Sequence, residues 1–377
     1  MSSLTETAEN TKKYGCIFLL LLGGWIGTRT GWKVYKAFVN PTKPVIIYGQ
    51  FGKLPVLPLV GLRLESGSTP TYSLETTAGT LPAGLANALP VYKTKTQAWT
   101  FMSEKRARDL AQKIGFTGLN EKTSSPTLFY WKDADTGAEL RVNTVTGKLT
   151  IETPLAVIED KVKPGQAPTA EAAKGQALGF LRQQWEVPKD YNDGTQTTLL
   201  AKAESGQLNQ AETPYEAELV RVDLFRQITL GEEKKKSYPI LGPNPRQGLI
   251  SLLVAGVPFK IGGSIPRVTY TYWVLDTITT GLYPLKPIAT AYQELRDGKG
   301  YITYLNLKKH NPFVAYTPLR LTRILVRDVK LAYFDSENQP KYIQPIYVFE
   351  GAAFTAANEE AEYVAYVPAV APEYAER

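Results

Sequence analysis

Asp135, Thr136 and Gly137 form the Asp-Thr-Gly tripeptide that aspartic proteases use. Protease chemistry of that kind needs two such carboxylates that share one proton, each placed after an apolar strand. This chain has one such tripeptide, and Lys-Asp-Ala rather than an apolar run precedes it. Asp and Gly are also the residues expected in a tight turn. The tripeptide therefore predicts a hairpin turn rather than a protease site.

Two other arrangements raise the question of metal binding or nucleophilic catalysis. Asp133 and Asp135 have the spacing of the first two ligands of a calcium loop, but Thr144 stands where the bidentate acid is expected. His310 is the only histidine, so a Ser-His or Cys-His pair would have to use it. Its neighbours in the segment 308–312 are typical of an exposed loop. We therefore predict no catalytic, cofactor-binding or metal-binding residue, and no enzyme activity.

The composition favours strands and disfavours nucleic acid as a partner. Tyr residues (22) and Thr residues are abundant, and both suit a pleated, half-buried surface. The net charge is +7, and the basic residues are scattered along the chain rather than clustered. Cys16 is the only cysteine, which excludes a disulfide framework and a Cys-ligated metal site.

The most apolar stretch of the chain is GCIFLLLLGGWI, residues 15–26. Trp25 fits badly at the −3 position of a signal cleavage site. Cys16 lies at the start of the run, whereas a lipidated cysteine is expected at its end. The 14 residues from Tyr14 to Gly27 are too few to span a bilayer, but extension to Phe38 gives 25 residues, which is long enough. The sequence therefore predicts an uncleaved membrane anchor over residues 14–38, the alternative being a buried helix of a soluble protein.

Five residues near the end of this helix are predicted to lie at the membrane interface. Arg29, Lys33 and Lys36 recur at i, i+4 and i+7, on one helical face, and their long stems can extend to the headgroups. Trp32 and Tyr35 suit the same interface.

The orientation of the anchor is open on charge alone. Lys12 and Lys13 precede the apolar run, whereas four basic residues follow it, namely Arg29, Lys33, Lys36 and Lys43, and that count favours a body in the cytoplasm. The fold expected for the remainder favours the opposite orientation. We predict a short cytoplasmic tail and an extracytoplasmic body at the cell membrane.

Three later segments have one apolar stripe each and predict helices. They are Ser103 to Ile114, Thr169 to Trp185, and Pro287 to Asp297. Alternating apolar and polar runs with turn residues follow each of them and predict antiparallel strands. A helix with a single apolar stripe typically packs across a sheet.

The C-terminal third contains the segments PLKPIATAYQELRDGKGYI, RDVKLAYF, KYIQPIYVFEG and YVAYVPAV. These segments resemble PepSY-like ectodomains, in particular the membrane-anchored accessory proteins that modulate bacterial sensor kinases. The resemblance implies one N-terminal span and an extracytoplasmic body of helix-plus-hairpin units that acts by contact. The layout is also similar to an uncharacterised family of bacterial envelope proteins.

Together these features predict an α+β fold with an N-terminal transmembrane helix and two helix-on-antiparallel-sheet units. The expected parts are a cytoplasmic tail and anchor (1–39), a Pro-rich tether and first α+β domain (40–158), a linker (159–168) and a larger α+β domain (169–377). The expected function is non-enzymatic binding or regulation through contact with another membrane or envelope protein. The bilayer is a further partner through residues 14–38, and no cofactor is expected. The alternatives are a structural subunit of an envelope assembly and an envelope hydrolase.

Overall fold

A computed structural model describes residues 45–95, 101–118, 125–184, 187–231, 235–308 and 310–376. Five helices occur in these ranges: α1 (Phe101–Ile114), α2 (Leu155–Lys161), α3 (Ala170–Gln184), α4 (Lys189–Asn192) and α5 (Ile288–Arg296). A 3₁₀ turn, Pro372–Tyr374, lies near the C-terminus. The three predicted helices are therefore present as α1, α3 and α5, whereas α2 and α4 were not predicted.

Strands make up most of the regular structure, and they are bounded as follows. They are β1 (Val45–Tyr48), β2 (Thr71–Leu74), β3 (Ala88–Lys95), β4 (Leu128–Lys132), β5 (Glu139–Asn143), β6 (Leu149–Glu152), β7 (Thr195–Glu204), β8 (Gln207–Gln210), β9 (Leu219–Leu230), β10 (Lys236–Leu241), β11 (Ile250–Ala255), β12 (Arg267–Tyr270), β13 (Val274–Pro284), β14 (Tyr301–Leu307), β15 (Leu321–Phe334), β16 (Tyr342–Thr355) and β17 (Glu360–Pro368).

The first sheet is antiparallel and has the order β4-β5-β6-β12-β11-β9-β7-β8. Side chains alternate between its two faces because successive residues of a strand point in opposite directions. On β9, Val220, Val222 and Leu224 face α1 and α3 and belong to the main core of this sheet. Arg221 and Asp223 point to the opposite side, which we call the polar face.

The second sheet has the order β14-β17-β16-β15 and continues from β15 in two directions. β15 pairs in parallel with β2 through Arg323–Val326 and with β10 through Tyr333 and Phe334. Buried aromatic side chains fill its interior, and Phe349 and Tyr363 are fully buried. A smaller third sheet joins β13 to β3, and β3 to the beginning of β16.

β9 belongs to both large sheets. In the first sheet, its residues 219–225 pair with β7 and residues 219–224 pair with β11; in the second sheet, residues 226–230 pair with β10. The strand changes its pairing partners at Arg226, so this residue lies where the two sheets join. This position sets the geometry of the cleft described below.

The predicted fold class, two helix-on-antiparallel-sheet units, is wrong. The first sheet takes strands from both predicted domains, since β6 pairs with β12 across the segment 159–168. Parallel pairs also occur, and residues Ile46–Arg377 form one compact unit. Local periodicity identifies a strand but not its partner, and here the pairing partners are far apart in the sequence.

The predicted anchor over residues 14–38 lies outside the described residues, as do Arg29, Trp32, Lys33, Tyr35 and Lys36. Within the ranges that are described, no helix combines the length and apolar character needed to cross a membrane.

Candidate functional site: the cleft between the two large sheets

A cleft of about 680 Å³ lies where the two large sheets meet beside Arg226. The polar face of the first sheet supplies one wall, with Thr195, Thr197, Arg221 and Asp223. The opposite wall comes from the second sheet and the loop before β11; its residues include Arg246, Tyr304, Asn306, Lys330 and Glu362. Clefts of this size with a few convergent polar groups are typical binding sites.

The charged groups of the cleft are held in ion pairs. Arg221 Nε lies 2.7 Å from Asp223 Oδ2, and the Arg221 guanidinium stacks over the Phe313 ring at 5.0 Å. On the other wall, Arg246 Nε donates to Glu362 Oε1 at 2.6 Å. Burial and the nearby Glu362 carboxylate raise the pKa of Tyr304, so its hydroxyl stays protonated and can donate. The cleft therefore offers fixed hydrogen-bonding groups to a polar ligand.

A buried charge cluster forms the base of the cleft. The Arg226 guanidinium is 2% exposed, and its Nη1 donates to Asp335 Oδ2 at 2.9 Å. Its Nε donates to Asp190 Oδ2 at 2.6 Å, and its Nη2 donates to the Trp273 carbonyl at 3.1 Å. The Tyr272 ring lies against the guanidinium at 4.7 Å. One side chain thus ties together β9, α4, the residue that follows β15 and the residue that precedes β13.

The pKa values of this cluster reflect burial opposed by pairing. Burial disfavours the charge of Arg226, but Asp335 and Asp190 outweigh it and hold the pKa of Arg226 above its ordinary value. Burial raises the pKa of Asp335 even though Arg226 favours its charged form. Burial, with a contribution from Asp190, raises the pKa of Tyr272 to about 12. These groups therefore support the cleft structurally.

An apolar groove of about 350 Å³ adjoins the cleft along β14, and we call it the edge groove. Residues 303–307 of β14 line it, together with the extended segment before β2 and the connection between β14 and β15. The connection is fixed by Asn311, whose Nδ2 donates to the Leu208 carbonyl at 2.8 Å and whose Oδ1 accepts from Gln210 N–H. The cleft and the edge groove share β14 as a common wall.

The predicted hairpin turn at Asp135-Thr136-Gly137 is confirmed between β4 and β5. Asp133 Oδ2 accepts hydrogen bonds from the Thr136 N–H at 2.9 Å and from the Thr136 hydroxyl at 2.7 Å. Lys260 Nζ lies 2.7 Å from Asp133 Oδ1 and also contacts Asp135. Burial alone would raise the pKa of Asp133, but the hydrogen bonds from Lys260 and Thr136 lower it. These carboxylates therefore stabilise a turn.

His310 lies elsewhere, on the rim of the edge groove, and its backbone N–H donates to the Leu307 carbonyl at 2.8 Å. It is exposed, as its loop-like neighbours predicted. The structure therefore does not bring His310 together with Asp133 and Asp135. Across the described ranges, no group of three His, Cys, Asp or Glu residues is placed to hold a metal ion.

Sequence reasoning missed the residues that build the cleft. Arg226, Asp190 and Asp335 are far apart in the sequence, and nothing in their local patterns connects them. One signal was present: LVRVDLFRQI, residues 219–228, places charged residues inside a strand that is otherwise apolar. A charged group in such a strand must be paired or must face a polar surface.

Comparison with known proteins does not assign the chain to a family. No family model matches it, and no curated protein matches it significantly. One solved structure that is similar is an uncharacterized protein from Eubacterium rectale, 11% identical. The similarity covers 74% of this chain and 83% of that chain, with a TM-score of 0.39. The resemblance to PepSY-like ectodomains has no support from these comparisons.

Proposed function

We propose that this protein is a membrane-anchored, extracytoplasmic binding or regulatory domain that acts by contact with another membrane or envelope protein. The observation that carries the proposal is the cleft with its adjoining edge groove, which together form one recognition surface along β14. Its cations are paired with carboxylates and its walls offer hydroxyl, amide and aromatic groups. Such groups suit recognition of a polar surface rather than transfer of a proton or an acyl group.

The proposed location rests on the sequence of residues 14–38. Their apolar core and the basic and aromatic residues that follow it are suited to an anchor in the lipid. An anchored domain meets its partners in the plane of the membrane. We therefore expect the partner to be a membrane or envelope protein.

Contact can be tested by photo-cross-linking of the full chain in intact cells. A photoreactive amino acid at Asn306 places the probe on β14, the wall that the cleft and the edge groove share. The matched control is the same amino acid at Glu171, whose side chain is 84% exposed on α3 and does not line the cleft. We expect a defined adduct with one membrane or envelope protein from Asn306 and not from Glu171. Equal adducts from both positions would contradict recognition through the cleft.

Location can be tested separately with a membrane-impermeant maleimide. Glu171→Cys supplies an exposed thiol, and the only native cysteine, Cys16, lies in the predicted anchor. We expect labelling of the Glu171→Cys variant in intact cells. Labelling that appears only after lysis would place the body in the cytoplasm and overturn the proposed location.

A further inference from the structure

A further pocket, of about 340 Å³, lies on the polar face of the first sheet. We call it the arginine pocket because three guanidinium groups line it, those of Arg141, Arg221 and Arg267. Strands β5, β6, β12, β11 and β9 supply its floor, and the connection after β14 supplies Pro312 and Phe313 as one wall. Its volume is within the range of small-molecule sites.

Strand register places three hydroxyl groups side by side on the floor of this pocket. Thr150 of β6 is paired with Thr269 of β12, and Thr269 is paired with Ser251 of β11. Directly paired residues project from the same face of a sheet, with Cβ atoms about 5 Å apart. Ser251 also pairs with Asp223, so this face is the polar face. None of the three hydroxyls takes part in a hydrogen bond within the described part of the chain, so a ligand can use them.

Two of the three guanidinium groups are already neutralised. Arg141 Nη2 lies 2.7 Å from Glu139 Oε2, and Arg221 Nε lies 2.7 Å from Asp223 Oδ2. Arg221 Nη2 also donates to the Arg246 carbonyl at 3.2 Å. These two side chains are therefore held by their own partners and have little charge left to offer.

Arg267 is the guanidinium that lacks a full set of partners. Its Nε donates to the Thr153 carbonyl at 3.0 Å. Its Nη2 lies 3.6 Å from Glu152 Oε1, beyond hydrogen-bond distance, and the Glu152 side chain is 58% exposed. Neither Nη1 nor Nη2 donates a hydrogen bond to any residue in the described ranges. The Arg267 side chain is 25% exposed, and its burial lowers its pKa although the Glu152 carboxylate opposes this change.

A partly buried cation without a close counter-ion is unfavourable, and an incoming anion would relieve that cost. The two free nitrogens of a guanidinium form a planar fork that fits two oxygens of one carboxylate or phosphate group. Arg267 lies two residues before Thr269 on β12, so both side chains project from the same face. The fork and the row of hydroxyls therefore border the same pocket.

We propose that the arginine pocket binds a small organic anion, a carboxylate or a phosphate ester with a short apolar body. The oxyanion accepts hydrogen bonds from Nη1 and Nη2 of Arg267 and from the hydroxyl of Ser251 or Thr269. The apolar body lies against Leu208 and Phe313, which line the pocket. A volume of about 340 Å³ is near the lower end for small-molecule sites, which favours a ligand of about one ring. This inference goes beyond the proposed function and does not depend on the location of the protein.

The test is a fluorine NMR titration of the purified full chain with three probes of similar shape. The probes are fluorobenzoate, fluorophenyl phosphate and the uncharged fluorobenzamide. Arg267→Gln removes the fork, Ser251→Ala removes one hydroxyl, and Glu152→Gln removes the carboxylate that competes with the ligand. Arg182→Gln is the matched control, because it loses the same charge at an exposed position of α3 that does not line the pocket.

We expect at least one anionic probe to bind saturably to the wild type and equally to Arg182→Gln, and fluorobenzamide not to bind. Arg267→Gln should weaken binding about tenfold or more, because charge-assisted hydrogen bonds are lost. Ser251→Ala should weaken it about threefold. Glu152→Gln should strengthen binding, because the remaining negative charge near Arg267 is gone.

Absence of saturable binding by both anionic probes would overturn the proposal. Fluorobenzamide that binds as tightly as the anions would also overturn it, as would equal weakening by Arg267→Gln and Arg182→Gln. Circular dichroism checks that each variant is folded. If Arg267→Gln is unfolded, Glu152→Gln and Ser251→Ala decide the question, and unchanged affinity in both would reject the site.

These outcomes are separate from those of the proposed function. The arginine pocket is not lined by Asn306, and the titration uses no cell. A cross-linked partner at Asn306 without probe binding would keep the contact function and reject the arginine pocket. Probe binding that passes the controls would keep the pocket even if no partner is cross-linked.

Discussion

Arg226→Met removes the cation that joins the two large sheets. The substitution leaves the Asp335 carboxylate, which is 1% exposed, with the Ser336 N–H at 2.8 Å as a remaining donor. The Asp190 side chain is 21% exposed, but its Oδ1 is buried without a hydrogen-bond partner, so both carboxylates contribute to the penalty. Removing one partner of a buried ion pair typically costs about 3–5 kcal/mol. We expect the free energy of unfolding to fall by about 4 kcal/mol.

The assay is urea unfolding followed by tryptophan fluorescence. Trp273 is a suitable reporter because its carbonyl accepts from Arg226 and its Nε1 donates to the Ser336 carbonyl at 3.1 Å. Arg246→Met is the matched control. Its guanidinium is 38% exposed and pairs with a half-exposed Glu362, so its loss should cost at most about 1 kcal/mol.

Two further measurements make the reasoning refutable. The double variant Arg226→Met/Asp335→Asn removes the unpaired charge and should be about 2 kcal/mol more stable than Arg226→Met alone. The pKa of Asp335 is already raised by burial, and losing the cation raises it further. A raised carboxyl pKa means that stability falls as pH rises above the ordinary Asp value. The loss in free energy of unfolding caused by Arg226→Met should therefore be smaller at pH 4 than at pH 7.5. A single variant as stable as Arg246→Met, or a double variant no better than the single one, would refute the account.

Two pairs of substitutions, each with a matched control, test local features by the same unfolding measurement. Asp133→Ala should cost about 1–2 kcal/mol at neutral pH, whereas Asp135→Ala, at an exposed position, should cost little. Because the pKa of Asp133 is lowered in the fold, its ionised carboxylate stabilises the protein above the ordinary Asp pKa, and this stabilisation is lost as pH falls below that value. If Asp133→Ala remained as destabilising in acid as at neutral pH, this explanation would be wrong. Gly351→Ala should cost about 2–3 kcal/mol because its Cβ would overlap the Leu325 carbonyl oxygen at a bulge of β15. Gly175 lies in open space on α3, so Gly175→Ala should raise the free energy of unfolding by about 0.5–1 kcal/mol. Equal effects at the two glycines would contradict this reasoning.

The local elements could be predicted from the sequence because their signals are local. The stripe of Ala107, Leu110, Ala111 and Ile114 is buried on α1 as its spacing indicates. The run LISLLVAG has the length and apolar character of a core strand, and β11, which it contains, is buried along its whole length. The turn at Asp133 was recognised from its Asp and Gly residues.

The arrangement of these elements could not be predicted in the same way. β12 follows β6 by more than a hundred residues, yet the two strands pair. The parallel pairing of β10 with β15 has no local signature either. The cleft was missed for the same reason, since Arg221, Arg246 and Tyr304 meet only after the two large sheets have formed. Whether a segment forms a strand is decided by its local sequence, but which strand it pairs with depends on burial across the whole fold.

The continuity of β9 through both large sheets has a mechanical consequence. A strand is stiff along its length, and this one is bonded on both sides before Arg226 and to β10 after it. Rotation of either sheet must tilt the whole strand, and the cleft walls on each side of it move with that tilt. A ligand that contacts both walls of the cleft would therefore hold the two large sheets in one relative orientation.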